Sequence, residues 1–397
     1  MTSTTERPAT PSAPDQPSWW DRQGDLIMRR PFNEWTFTHM NWLMPTERVA
    51  RGEVHRPLHY DPHHLDLTYR FEGTDRTLAE LHKRTNTTSF VVVHNGRIVH
   101  EYYPGVFAGP RTRMQLFSVS KSITSLLVGI ALHEGTIDGL YDRVADFRAD
   151  FKGTAYEDVT VGNLLNMTSG VGDLEVWDVP DAGIKRFEQA IMGGGDVAAV
   201  VRGAPRTAPM GDHFNYSTFD TQVLGWVLEA AAGTSLAQYC SDRLWRHLGA
   251  DRDAYYWLTR ARPRSAIGGG SLNATARDLA RVGMLMVNDG VVAGRQVVPR
   301  EWVRRSRGCD QPQLAVGALG PSGYAHYGYS NQWWTLGPSC FDSFTGLGVH
   351  GQYLFVDHSA DVVIVKTSAW PTQDDEARDR ETVTALRRIS DHFATTR

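Results

Sequence analysis

The chain has 397 residues, enough for one large domain or two ordinary ones around a sizeable buried core. A content of 41% hydrophobic and 22% charged residues argues against wholesale disorder and against a membrane bundle. The net charge of -4, with only five lysines among the basic residues, gives no field for nucleic acid, and no run approaches the roughly 18 apolar residues of a membrane-spanning helix.

Residues 1–17 are rich in Thr, Ser and Pro and lack the basic start and apolar run of a signal peptide. They are expected to form a disordered tail, with the cytoplasm as the default location. From Trp19 to about Arg51 the chain is dense in aromatic residues and Met without clean periodicity, and reads as an arm packed across the surface in a structural role. His55, His59, His63 and His64 cluster, but Pro57 and Pro62 prevent a helix that would align them and no Glu or Cys completes a ligand set, so no metal is assigned. In SFVVVHNGRIVHEYY, Asn95-Gly96 between two β-branched runs predicts a hairpin.

A helical pattern starts near Ser118 and stops at Gly135. The stretch up to Gly233 reads as short helices and loops, including DVAAVVRGA and TFDTQVLGWVLEAAAG. Amphipathic helices follow in SLAQYCSDRLWRHLG and TARDLARVGMLMVNDG, the second with Thr275 as its N-cap. SNQWWTLG, HGQYLFVD and DVVIVKTSAW read as strands, and DEARDRETVTALRRISDHFA as a terminal helix. Strands at both ends around helices predict an α/β domain built from residues 18–135 and 265–397 and a mostly helical domain over 136–264, with the active site between them. Cys240, Cys309 and Cys340 form no CxxC pair and are expected as free thiols.

The chemistry centres on Ser118-Val119-Ser120-Lys121. Positions i and i+3 share a helix face, so the hydroxyl and the amine can meet, and the helix N-terminus favours a neutral lysine able to accept the hydroxyl proton. The motif alone is weak, since roughly 0.3 matches arise by chance in such a chain, and a solvated helix lysine is the plain alternative. Tyr216, just ahead of a predicted helix, can donate the proton that a leaving group needs; otherwise it is a core tyrosine. Gly346-Leu347-Gly348-Val349-His350-Gly351 matches the dinucleotide-binding spacing but leads into a strand rather than a helix, which rules that reading out. Glycines entering an edge strand instead let substrate lie along the backbone, and an amide there can pair with that of Ser118 as an oxyanion hole. No G-x-S-x-G elbow occurs. Trp177, Trp333 and Trp334 are either core aromatics or pocket walls.

With these residues placed, the chain resembles the serine β-lactamase and D-Ala-D-Ala carboxypeptidase superfamily (class C-like). It is most similar to the branch of 6-aminohexanoate-dimer hydrolases and β-lactamase-like (family VIII) esterases. The resemblance runs from about Pro31 onward and is carried by SVSKS, LLNMTSG, ADRDA, TARDLARVG, QWW, HGQ and VIVK. It implies an α+β fold, an antiparallel sheet flanked by helices plus a mostly helical domain. It further implies acylation of Ser118, with Lys121 as base, Tyr216 as acid, and the backbone amides of Ser118 and Val349 as the oxyanion hole. Trp177, Trp334, Gly346, Gly348 and His350 are the expected substrate contacts, with no cofactor. Three departures stand out: Thr218 in place of the Asn of a Tyr-x-Asn element, Gly346 where penicillin-binding members carry Lys or His, and Gly269 near the place of an Asn of the amide-cleaving branch. The expectation is therefore a serine hydrolase of small esters or amides rather than β-lactams. An acyltransferase is the nearest alternative, and a non-catalytic binding module on the same fold is the alternative of another class.

Overall fold

The computed structural model describes residues 26–63, 65–177, 179, 181–308, 311–337 and 343–395. Eight strands form one sheet in the order Tyr327–Ser330, Trp333–Leu336, Ser343–Gly348, Gln352–Asp357, Val362–Ser368, Thr87–His94, Arg97–Tyr102 and His59–Tyr60. Neighbours are antiparallel except the last pair, which is parallel. The two ends of the chain meet where Val363 faces Val93 and Lys366 faces Phe90. The predicted hairpin forms, with Asn95 and Gly96 at φ 48° and 71°, the positive values that a tight turn between twisted strands requires.

Alternation along the central strands feeds two cores, because successive side chains leave a strand on opposite faces. Val91, Val93, Val363 and Val365 join one apolar cluster with Leu126, Leu127 and Leu279. Phe90, Val92, Val362 and Ile364 join a second with Leu386 and Ile389 of the terminal helix. Helices thus cover both faces of the sheet. The strand after the glycine run is interior, not an edge, since Gln352–Asp357 pairs with Ser343–Gly348 on one side and Val362–Ser368 on the other. Its unbroken buried run from Gln352 to Val356 suits a strand covered on both faces.

The helix Val119–Glu134 is buried on every side from Val119 to Ala131, its polar Ser120, Lys121, Ser122, Thr124 and Ser125 included, and Gly135 ends it in the left-handed conformation at φ 70°. Among the described residues no strand occurs between Gln115 and Ala254; the helices Gly183–Gly193, Val197–Arg202, Thr218–Ala232 and Leu236–Arg243 lie there. A second sheet orders Thr46–Val49, Ala254–Trp257, Leu272–Thr275 and Arg113–Gln115, and the last of these leads straight to Ser118. Thr275 caps the helix Ala276–Val287 by accepting from the Asp278 amide. Cys240 is a buried free thiol, its pKa pushed up to about 12 by burial, while Cys309, Cys340 and the 1–17 segment lie outside the described residues. No described helix is long and apolar enough to cross a membrane.

Candidate active site

The chain turns sharply into the Val119–Glu134 helix at Phe117, whose φ of 47° is left-handed and uncommon for a bulky residue. Ser118 follows as N-cap and Lys121 lies one turn on, with its Nζ 2.9 Å from the Ser118 Oγ. The i,i+3 spacing alone accounts for that approach.

Two further contacts fix the amine. Lys121 Nζ donates to the Gly269 carbonyl at 3.1 Å and to Thr218 Oγ1 at 3.0 Å. Thr218 Oγ1 in turn donates to Glu175 Oε2 at 3.2 Å, and the Thr218 amide donates to Glu175 Oε1. A neutral amine has two N–H groups and one lone pair. The carbonyl of Gly269 can only accept, and the Thr218 hydroxyl has committed its own proton to Glu175. Both N–H groups are therefore used, and the lone pair is left facing Ser118. Burial pulls the Lys121 pKa down to about 8 against the opposing pull of Glu175, so the neutral form is accessible near neutral pH. Burial likewise pushes the Glu175 carboxyl above its usual range, opposed by Lys121 and by the Thr218 bonds. Sequence reading singled out Ser118 and Lys121 but missed Glu175; it found Thr218 and Gly269 only as departures, and they prove to hold the amine.

Tyr216 precedes the helix Thr218–Ala232, whose N-cap Ser217 accepts from the Asp220 amide at 3.2 Å. Its ring lies under Lys121 Nζ at 4.8 Å and 5.2 Å from the Trp334 ring, and its amide donates to Ser322 Oγ at 2.7 Å. Burial and then Glu175 raise its pKa, while a hydrogen bond with Ser118 pulls the other way. The phenol is therefore protonated and can act as a donor.

The glycine strand stands against the start of the same helix. A Cβ at Gly348 would lie 3.2 Å from the Ser118 amide nitrogen and 2.6 Å from the Leu116 carbonyl, so only glycine allows this approach. Among the described residues neither the Ser118 nor the Val349 amide has an acceptor, and both residues line the cleft. Gly346 does not line it: a Cβ there would face Ser122 Oγ at 3.0 Å and Val119 Cγ1 at 3.2 Å. The His350 ring is buried against Phe37 and Phe117, at 5.0 and 5.4 Å. Its Nδ1 is 2.9 Å from the Trp370 carbonyl, so that nitrogen carries the proton and Nε2 bears a lone pair. Burial lowers its pKa to about 4, and a neutral acceptor of this kind cannot grip a carboxylate.

Ser118 stands where two cavities meet. The smaller, about 200 Å³, is lined by Tyr216, Trp334, Tyr324, Trp370, Glu175 and Asp374 among others. The larger, about 530 Å³, takes walls from Met28 and Met40 of the N-terminal arm and from the helix Gly183–Gly193. Trp177 and Val349 line both. The arm, expected to be structural, therefore also shapes the cleft.

The Beta-lactamase family model matches residues 74–388. Over 363 residues the chain is 30% identical to the 6-aminohexanoate-dimer hydrolase of Paenarthrobacter ureafaciens, covering 88% of each chain. A Bacillus anthracis protein provisionally assigned as a 6-aminohexanoate-dimer hydrolase superposes with a TM-score of 0.82 at 26% identity, over 93% of this chain and 96% of that one. EstCE1, a hydrolase with promiscuous acyltransferase activity, shares the fold at a TM-score of 0.62 and 16% identity, over 80% of this chain and 98% of its own. With a match over most of its length and this fold, the chain belongs to the Beta-lactamase family, and within it is similar to the 6-aminohexanoate-dimer hydrolases.

Proposed function

We propose that the chain is a serine hydrolase that cleaves small esters or amides through an acyl group carried on Ser118. The observation that supports this most is the saturation of the Lys121 amine by Gly269 and Thr218, which leaves its lone pair for the Ser118 proton. Ser118 Oγ attacks the substrate carbonyl carbon as Lys121 takes its proton. The oxyanion forms between the Ser118 and Val349 amides. As the tetrahedral intermediate collapses, the Tyr216 hydroxyl gives its proton to the leaving alcohol or amine. Its raised pKa makes a free phenolate costly, so the Lys121 ammonium must return a proton as Tyr216 releases one. Water activated by the again neutral Lys121 then cleaves the acyl group from Ser118.

The relative named for the 6-aminohexanoate dimer supplies an amide to include beside simple esters. Hydrolysis of p-nitrophenyl acetate and butyrate and of that dimer, by wild type and Ser118→Ala, tests the reading. The expected result is loss of nearly all turnover in the variant and a mass adduct at Ser118 with a fluorophosphonate; an unchanged rate in Ser118→Ala would sink it. Transfer of the acyl group to an amine or alcohol is a second reading. It is favoured by the aromatic walls of the smaller cavity, which can hold an organic acceptor beside Tyr216. Aminolysis products far above the uncatalysed level, measured by mass spectrometry, would establish it.

A further inference from the structure

The two cavities at Ser118 have different chemistry, and the residues of the reaction divide between them. Tyr216 lines only the smaller one, whereas Thr218 and Gly269, which hold Lys121, line only the larger. A leaving group protonated by Tyr216 departs into the smaller cavity, so the acyl part extends into the larger.

The larger cavity is walled by Met28, Met40, Ile184, Phe187, Ile191 and Trp257. Ile184, Phe187 and Ile191 recur at helical spacing on the inward face of Gly183–Gly193. The charged side chains on the wall are Arg29, exposed to solvent, and Lys185 and Glu188, which neutralise each other at 3.2 Å. Lys185 Nζ also lies 5.7 Å from the centre of the Trp177 ring. A charged tail would therefore lose its water with no unengaged counter-charge in the apolar part of the wall.

We propose that this larger cavity is an acyl pocket selective for uncharged aliphatic acyl groups of medium length, with the N-terminal arm and the Gly183–Gly193 helix as its specificity-determining walls. The proposal rests on the Ser118 acyl-enzyme reading. Burying one methylene favours binding by about fourfold, so the four methylenes added between acetyl and hexanoyl should raise kcat/KM by roughly 250-fold.

The test is kcat/KM for p-nitrophenyl acetate, butyrate, hexanoate and 6-aminohexanoate, in wild type, Met28→Trp and Met192→Trp. Both variants fill the cavity from half-buried positions on different elements, and thermal melts check that each folds. The expected result is a steep rise to hexanoate, at least tenfold discrimination against its 6-amino analogue, and a hexanoate-to-acetate ratio reduced at least tenfold in a folded variant. Acetate turnover and fluorophosphonate labelling of Ser118 with a flat series, or equal rates for hexanoate and 6-aminohexanoate, would overturn the acyl pocket alone. Absence of both turnover and label would overturn the serine-hydrolase reading and this proposal with it.

Discussion

Replacing Glu175 by Gln removes the charge that acts on Lys121 through a single intervening side chain. The amide keeps the shape of the carboxylate, and its oxygen can still accept from the Thr218 backbone, but its NH2 cannot accept the Thr218 hydroxyl proton, so the variant removes the charge together with that one hydrogen bond. Thr218 Oγ1 lies 3.0 Å from Lys121 Nζ and 3.2 Å from Glu175 Oε2, which puts the carboxylate within roughly 6 Å of the amine. At an effective dielectric of about 20, unit charges at that distance interact by about 3 kcal/mol, equivalent to about two pH units. Partial screening by solvent reduces this to about one to two pH units. The carboxylate favours the ammonium, so its removal lowers the Lys121 pKa, and the neutral amine persists to more acidic pH. In wild type the acid limb of kcat/KM for a p-nitrophenyl ester should fall at about pH 8, where the Lys121 amine titrates. In Glu175→Gln it should move toward pH 6 to 7. A limb that stays within about 0.3 pH units of wild type would refute the reasoning, because Glu175 would then carry no charge that Lys121 senses.

Three other perturbations probe the same framework. Gly269→Ala places a methyl 3.3 Å from Lys121 Nζ and 3.2 Å from Thr221 Cβ. Ester kinetics should show kcat/KM falling by about ten- to a hundredfold with only a modest change in melting temperature, and unchanged kinetics would mean that Lys121 tolerates displacement. Gly348→Ala drives a methyl to 2.6 Å from the Leu116 carbonyl, next to the Ser118 amide. Denaturant melts should register about 1–3 kcal/mol of destabilisation, and turnover should drop by about a hundredfold or more. Lys366 is buried in the central sheet beside Ser368, and burial pulls its pKa down to about 7. Between that value and the usual lysine value of about 10.4, the unfolded chain holds a proton that the folded chain sheds, so stability rises with pH across this window. Lys366→Met should lose that rise. The stability of wild type relative to the variant, from urea melts at pH 7 and 9.5, should improve by on the order of 3 kcal/mol; a pH-independent difference would contradict it.

How far the sequence discloses this site depends on how far each contact reaches along the chain. The Ser118–Lys121 contact lies within one helical turn, so spacing alone gives it. The Asn95-Gly96 hairpin is equally local, and so are the helix end at Gly135 and the cap at Thr275. The Ser343–Gly348 strand is a harder case, because two glycines dilute its β-propensity and only its partners on both sides make it a strand. That hidden neighbour is why Gln352–Asp357 reads as an edge, although its continuous apolar run already points to an interior strand. The helix Gly183–Gly193 carries a readable signal in Ile184, Phe187 and Ile191, but glycines at both ends obscure it.

The groups that decide the protonation of Lys121 are of another kind. Gly269 contributes a backbone carbonyl, which no residue type announces, from 148 positions away. Glu175 sits in a segment without periodicity and reaches the amine only through Thr218, 43 positions further along the chain. Thr218 itself looks like a loss when compared with a Tyr-x-Asn element. In place, its hydroxyl both accepts from the amine and donates to the carboxylate, which a single hydroxyl does with one oxygen. The substitution therefore couples the base to a buried carboxylate, and the tuning of Lys121 becomes a property of tertiary packing around a motif that local spacing alone creates.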